Sequence, residues 1–152
     1  MPEATLPQID PDTESQGSFR TEVLVRFADC DPAGMVFYPR YMEMFNNLVE
    51  DWCAEGLGLS FAELHGLRGW GLPTVHLDAD FVAPSFLGEL LSATITLRHL
   101  GTSSISLAIR LDGPTGDERV RGNVVLVLME LRSKQAVPIP RDIATRIKSF
   151  FE

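Results

Sequence analysis

An α+β fold is expected, with a five-stranded antiparallel sheet wrapped around one long helix and a short C-terminal helix. Three observations predict it. A strand pattern near the N-terminus leads into one long apolar stripe at helical spacing; four more strand patterns follow, separated by legible turns; and 152 residues suffice for one domain with a core but not two. An isolated apolar helix accompanied by five strands has a compact solution in which the sheet curls about the helix.

The elements follow in order. Residues 1–17 are polar and read as a flexible N-terminal tail, leaving residues 18–152 as the single domain. From 19 to 28, Phe19, Thr21, Val23, Val25 and Phe27 alternate on one side, the period of a half-buried strand. Pro39 suits a first helical position, and Tyr41, Phe45, Leu48, Val49 and Trp52 recur at intervals of three and four. That predicts a helix over 39–55, about 25 Å long, with Gly56 as its C-cap. Residues 60–66 suit a short helix behind a serine cap. Strands are expected over 73–83, 89–99, 103–111 and 119–132, with turns at 100–103 and 112–117, where Gly and Pro supply the backbone angles. Val124 to Met129 is apolar on both faces, as a central strand covered twice would be. A closing helix over 141–151 follows the breaker "VPIP". The outer sheet face is expected to be rich in Leu, Ile and Val, so a homo-oligomer should bury it.

Composition narrows the function. Thirteen basic against 21 acidic residues give a net charge of −8, which argues against nucleic acid or an anionic membrane as the main partner. Two cysteines, Cys30 and Cys53, make neither a disulfide framework nor a zinc site, which fits a reducing cytoplasm. The N-terminus lacks the basic start and apolar core of a secretory signal, and "VVLVLM" at 124–129 is far too short to span a membrane.

The stretch that packing alone does not call for is "DCDPAGMVFYPRY", residues 29–41, between the first strand and the long helix. With the element order, its D-x-D-x-x-G-x-V-x-[FYH] string resembles the hotdog-fold acyl-CoA thioesterases, specifically the 4-hydroxybenzoyl-CoA thioesterase family. Asp31, Gly34, Val36 and Tyr38 stand where that family's motif has them, and the likeness covers roughly residues 19–150.

The resemblance implies hydrolysis of an aromatic, hydroxybenzoyl-like acyl-CoA to free acid and CoA at a site on a subunit interface of a dimer or tetramer, with CoA as part of the substrate and no metal or other cofactor. It implies Asp31 as the catalytic carboxylate, attacking the thioester or deprotonating water, and the Tyr38 backbone N–H as oxyanion donor. A helix N-terminus offers unpaired N–H groups to a developing oxyanion, so this assignment is chemically sensible. Gly34, Val36, Phe37, Asn46, Leu72, Thr102 and Ser103 are then expected against the substrate. Asn46 and Leu72 occupy places where family members acting on 4-hydroxybenzoyl groups carry an acid and a hydroxyl. That weakens a 4-hydroxy substrate and leaves other aromatic or short acyl groups open. Thr102 and Ser103 stand near the family's CoA-phosphate residues, from which Arg98 is displaced; Arg132, Lys134 and Arg141 are further candidates by location.

Each residue also has a structural reading. "DPAG" is an ordinary turn in which an Asp caps local amides. Asp29 reads as a partner of loop amides, and Cys30 as packed and inert. His76, Asp78 and Asp80 share one strand face opposite Val75, Leu77, Ala79 and Phe81, and read as a solvated or interface face. His65 and His99 read as surface or turn residues; Met42, Met44 and Trp52 as core or interface filler. Two alternatives remain: a hotdog enoyl-CoA hydratase using His76, and an acyl-CoA-binding module without turnover.

Overall fold

The computed structural model describes residues 17–152. All of the expected tail but Gly17 lies outside the described residues. Strand β1 (Phe19–Leu24) leads through a 3₁₀ turn (Phe27–Asp29) to helix α1 (Pro39–Asp51), which continues as a π turn (Trp52–Gly56). Helix α2 (Phe61–Gly66), the short strand β2 (Trp70–Gly71) and strands β3 (Thr74–Phe81), β4 (Leu90–Leu100), β5 (Ser104–Asp112), β6 (Glu118–Val127) and β7 (Met129–Glu130) follow, then helix α3 (Arg141–Phe151).

Five strands form one antiparallel sheet in the order β1-β4-β5-β6-β3. The expected stripe of α1 is buried, joined by Met44, and shares one core with the alternate, inward residues of β4, β5 and β6 such as Ile95, Leu107 and Val124. Each such side chain contributes about 1.5–3 kcal/mol when fully buried. Gly122 sets how closely the layers approach. A Cβ there would stand 2.5 Å from the Asp78 carbonyl oxygen and 2.8 Å from the Phe45 ring.

Five expectations need correction. Strand β1 ends at Leu24, because the Asp29 carboxylate accepts the Arg26 N–H at 2.8 Å and turns the chain; Phe27 is therefore 84% exposed rather than half-buried. Gly56 is not the C-cap. It lies inside the π turn with the Trp52 ring 2.8 Å from where its Cβ would be, and Leu57 caps the helix. The expected strand 119–132 is two strands: the chain leaves the sheet at Leu128, and β7 pairs with β2, which its two residues made invisible to pattern reading. The run 124–129 is accordingly not covered twice, since Val125 and Val127 are only half-buried.

The fifth correction concerns the outer sheet face. Its residues include Thr94, Thr96, Ser104, Ser106, Arg110 and Asn123, so it is polar rather than rich in Leu, Ile and Val. The exposed apolar surface lies elsewhere, on the edge strand β3 (Val75, Leu77, Phe81) and around the motif (Phe37, Tyr38, Phe86). No helix among the described residues is long and apolar enough to cross a membrane.

Candidate active site

The motif folds back on itself. Cys30 and Val36 form an antiparallel bridge, the Phe37 N–H donates to the Asp29 carbonyl at 2.9 Å, and the Asp31 N–H donates to the Met35 carbonyl at 2.9 Å. Between them Gly34 takes φ +80°, a left-handed value that favours glycine, and among the described residues nothing crowds its Cβ position. The bend is thus a backbone requirement.

Asp31 is half-buried at the tip of this loop. Its Oδ1 accepts from the Ala33 N–H at 2.9 Å and the Met35 N–H at 3.4 Å, whereas among the described residues nothing donates to Oδ2. The local-cap reading and the chemical reading therefore coexist: one oxygen orients the carboxylate and the other stays available. Asp29 serves the loop amides, as expected. Cys30 is half-buried, with its thiol 3.5 Å from the Arg26 carbonyl oxygen. Desolvation, then the Asp29 and Asp31 charges, raise its pKa, so the thiol stays protonated and poorly nucleophilic.

Helix α1 starts beside this loop, with Pro39 at its first position. Arg40 and Tyr41 donate to the Phe37 and Tyr38 carbonyls at 2.8 and 3.1 Å, and Pro39 has no N–H. Among the described residues no carbonyl accepts from the Tyr38 N–H. The positive end of α1 thus presents one unengaged main-chain donor. Around it, Phe37, Tyr38, Phe81 and Tyr41 form a chain of rings with successive centroids 5.4, 6.1 and 5.7 Å apart.

The other expected residues are distributed more widely. Val36 bridges to Cys30 and Phe37 is half-exposed beside Tyr38. Asn46 and Leu72 line one cavity of about 70 Å³ between α1, β3 and β6, together with Met42, Thr74 and Leu77. Thr102 and Ser103 lie in the β4–β5 turn, at the far end of the eleven-residue β4 from the motif, about 33–37 Å along the strand at ~3.3 Å per residue. Arg132 follows β7, Lys134 lies in the next turn and Arg141 begins α3. Ile139 N–H donates to the Thr102 carbonyl at 2.8 Å, so the chain leading into α3 meets the Thr102 end of the molecule. Arg98 is drawn to Asn123, which donates to Asp78 at 2.9 Å. His76 pairs with the other Asp78 oxygen at 3.1 Å on the outer sheet face, whereas Phe81, which meets Tyr38, pairs across to the inward-facing Val120. Among the described residues, no three His, Cys, Asp or Glu side chains cluster so as to hold a metal ion.

Sequence reading missed one group. Arg119, 8% exposed, is ion-paired to Glu89 at 2.9 Å and Asp117 at 2.6 Å, beside fully buried Ser85. These bonds lower the pKa of Glu89 and hold Asp117 down at about 2. The only sequence-level signal is an arginine in a strand pattern, which ordinarily means a solvated face.

Comparison with known proteins identifies the family and the fold. Residues 25–147 match the family model described as the thioesterase-like superfamily. A 1,4-dihydroxy-2-naphthoyl-CoA hydrolase from Thermosynechococcus vestitus is 29% identical over 125 residues, covering 82% of this chain and 85% of the relative. The crystal structure of a 1,4-dihydroxy-2-naphthoyl-CoA thioesterase from Synechocystis superposes with a TM-score of 0.81 at 24% identity, covering 90% of this chain and 99% of that one. The 4-hydroxybenzoyl-CoA thioesterase from Pseudomonas sp. strain CBS-3 superposes with a TM-score of 0.78 at 23% identity, covering 86% and 99%.

Proposed function

Because the chain belongs to the thioesterase-like superfamily, has its hotdog fold and is an acyl-CoA thioesterase, we propose that it hydrolyses an aromatic acyl-CoA using Asp31 and the Tyr38 N–H. The observation that supports this reading is the fold-back of residues 29–37, which returns the Asp31 loop toward the start of α1; among the described residues one Asp31 oxygen and the Tyr38 N–H are unengaged. Asp31 either deprotonates a water that attacks the thioester carbon, or attacks that carbon itself to give an anhydride that water then opens. In both routes the carbonyl oxygen becomes an oxyanion facing the Tyr38 N–H, the C–S bond breaks, and CoA leaves as a thiolate that takes up a proton. Losing one such donor costs about 2.7–4 kcal/mol in comparable acyl-transfer enzymes.

An aromatic acyl group is supported by the ring chain at Phe37, Tyr38 and Phe81 and by the largely apolar cavity at Asn46 and Leu72. Relatives named for dihydroxynaphthoyl and hydroxybenzoyl thioesters point the same way.

The reading includes a second copy of the chain. Among the described residues, strand β3 is an edge of the sheet with its backbone unpaired on one side and Val75 and Phe81 exposed beside it, a surface suited to pairing. Two-fold pairing across this edge would run the two β3 strands antiparallel. The Phe81 end, with its motif loop, would then meet the partner's Thr74 end, beside the cavity at Asn46 and Leu72. The CoA tail would run toward the Thr102–Ser103 turn and its basic neighbours.

The test is thiol release from 1,4-dihydroxy-2-naphthoyl-, 4-hydroxybenzoyl-, benzoyl- and acetyl-CoA. The expected result is kcat/KM at least about 10-fold higher for the aromatic thioesters than for acetyl-CoA. Asp31→Asn should cut kcat by about 10²–10⁴-fold while CoA still binds. Equal hydrolysis by wild type and Asp31→Asn would remove Asp31 from the chemistry.

A further inference from the structure

The strap between β3 and β4, residues 82–89, holds the motif loop on one side and is itself held by the buried Arg119. Leu111 faces Val120 and Asp112 faces Glu118, so Arg119 is the extra residue of a bulge in β6. A bulge takes a side chain out of strand alternation and re-aims it, and here Arg119 and Val120 are buried in succession.

The guanidinium enters the strap. Its Nη1 donates to the Pro84 carbonyl at 2.9 Å, Ser85 Oγ at 3.3 Å and Glu89 Oε1 at 2.9 Å, and its Nη2 to Glu89 Oε2 at 2.9 Å. Its Nε donates to Asp117 Oδ2 at 2.6 Å, and its own carbonyl accepts from Val82 and Ala83 at 2.8 and 3.2 Å.

Ser85 is the junction. Its carbonyl accepts the Val36 N–H at 2.9 Å, which anchors the Asp31 loop, and Met35 bridges to Phe86 beside it. The Tyr41 hydroxyl, in the first turn of α1, is buried beside the same serine: burial raises its pKa, and the polar groups of Ser85 and the Arg119 charge oppose that rise. The motif loop is thus bonded to one buried serine, and the first turn of α1 packs beside it. Arg119 is buried while its carboxylate partners are partly exposed, and a buried charge is often no more stabilising than an apolar residue of the same volume, so stability alone is a weak reason for this one. Geometry is a better reason.

We propose that Arg119, acting through Glu89 and Ser85, is a positioning residue that sets the spacing between the Asp31 loop and the α1 N-terminus. The inference rests on the assignment of Asp31 and Tyr38 above.

The test uses the full chain with its best aromatic thioester. Arg119→Lys keeps the charge and loses the fork. The expected result is a kcat lower by about 10–100-fold with KM within about 3-fold, since small misplacements of reacting groups act on the chemical step. Added to Asp31→Asn, the same change should alter the residual rate by less than about 3-fold, because coupled sites are not additive. Tyr41→Phe, which removes only the hydroxyl beside Ser85, should lower kcat in the same pattern by a smaller factor and serves if Arg119→Lys does not fold. Folded variants with wild-type kcat would overturn the inference, as would an equal loss from Arg119→Lys in the wild-type and Asp31→Asn backgrounds. If Asp31→Asn is inactive while Arg119→Lys is fully active, the Asp31 assignment stands and the positioning role falls. If Asp31→Asn keeps the wild-type rate, both fall.

Discussion

Glu89 ties the chemistry of the strap to acid stability. The hydrogen bonds from Arg119 hold its carboxyl below the ordinary 4.5, and those from Arg119 and then Thr115 hold Asp117 at about 2. The folded chain thus binds fewer protons than the unfolded chain between about pH 4.5 and 2, so stability is complete above that window and is lost as pH falls through it. Urea unfolding followed from pH 6 to pH 3 should show the decline, and Glu89→Gln should flatten it. Removing the partner outright, as in Glu89→Ala, should cost about 3–5 kcal/mol by leaving the Arg119 cation buried with one carboxylate fewer. Cys30→Ser should retain most of the hydrolytic rate, because the thiol it replaces is held protonated; a collapse of kcat there would reopen the choice of nucleophile. At this scale the motif was legible. Asp31, Gly34 and Tyr38 lie in a local string whose turn chemistry needs no distant partner. Arg119 was not legible, since the bulge that turns it inward depends on pairing with Leu111 and Asp112, and alternation alone sends an arginine outward.

Glycine substitutions separate two kinds of constraint in the elements. Gly122 has an unexceptional backbone but no room: its Cβ would press on the Asp78 carbonyl and the Phe45 ring. Gly122→Ala should destabilise by about 1–3 kcal/mol through overpacking between helix and sheet. Gly34 has room but φ +80°, so Gly34→Ala should cost about 1–2 kcal/mol of backbone strain and also disturb the Asp31 loop. Thermal melts and kcat measured together distinguish the two, with Gly34→Ala losing more activity for a given loss of stability. The long helix, its buried stripe, the serine cap and both hairpin turns were readable because each rests on local periodicity or turn chemistry. The end of β6 was not, because nothing within "VVLVLM" marks where the chain exchanges its partners β3 and β5 for β2. Gly56 was misread because a glycine needed for contact with Trp52 looks, in sequence, like one needed for a cap.

At the scale of the molecule, the prediction of an oligomer from an apolar outer face had the wrong surface. Counting Leu, Ile and Val in strands does not say which edge the sheet leaves open, and the apolar exposure turned out to follow β3. Light scattering should return a multiple of the 16.8 kDa protomer. Val75→Glu, placed on a side chain 61% exposed at that edge, should shift the mass toward the protomer and lower activity while leaving the circular dichroism spectrum unchanged. A monomeric wild type with full activity would refute a site shared between copies.

The placement of the Asp31 loop and the Asn46 cavity toward different ends of β3 carries a genetic corollary. If each catalytic centre borrows its acyl cavity from the neighbouring polypeptide, two lesions can rescue one another in trans. Asp31→Asn, lacking the carboxylate, and Asn46→Trp, with the cavity mouth blocked, should each be inert. Unfolded together and refolded as a mixture, they should regain about a quarter of the wild-type rate, because random reassortment makes half the pairs hybrids with one intact centre apiece.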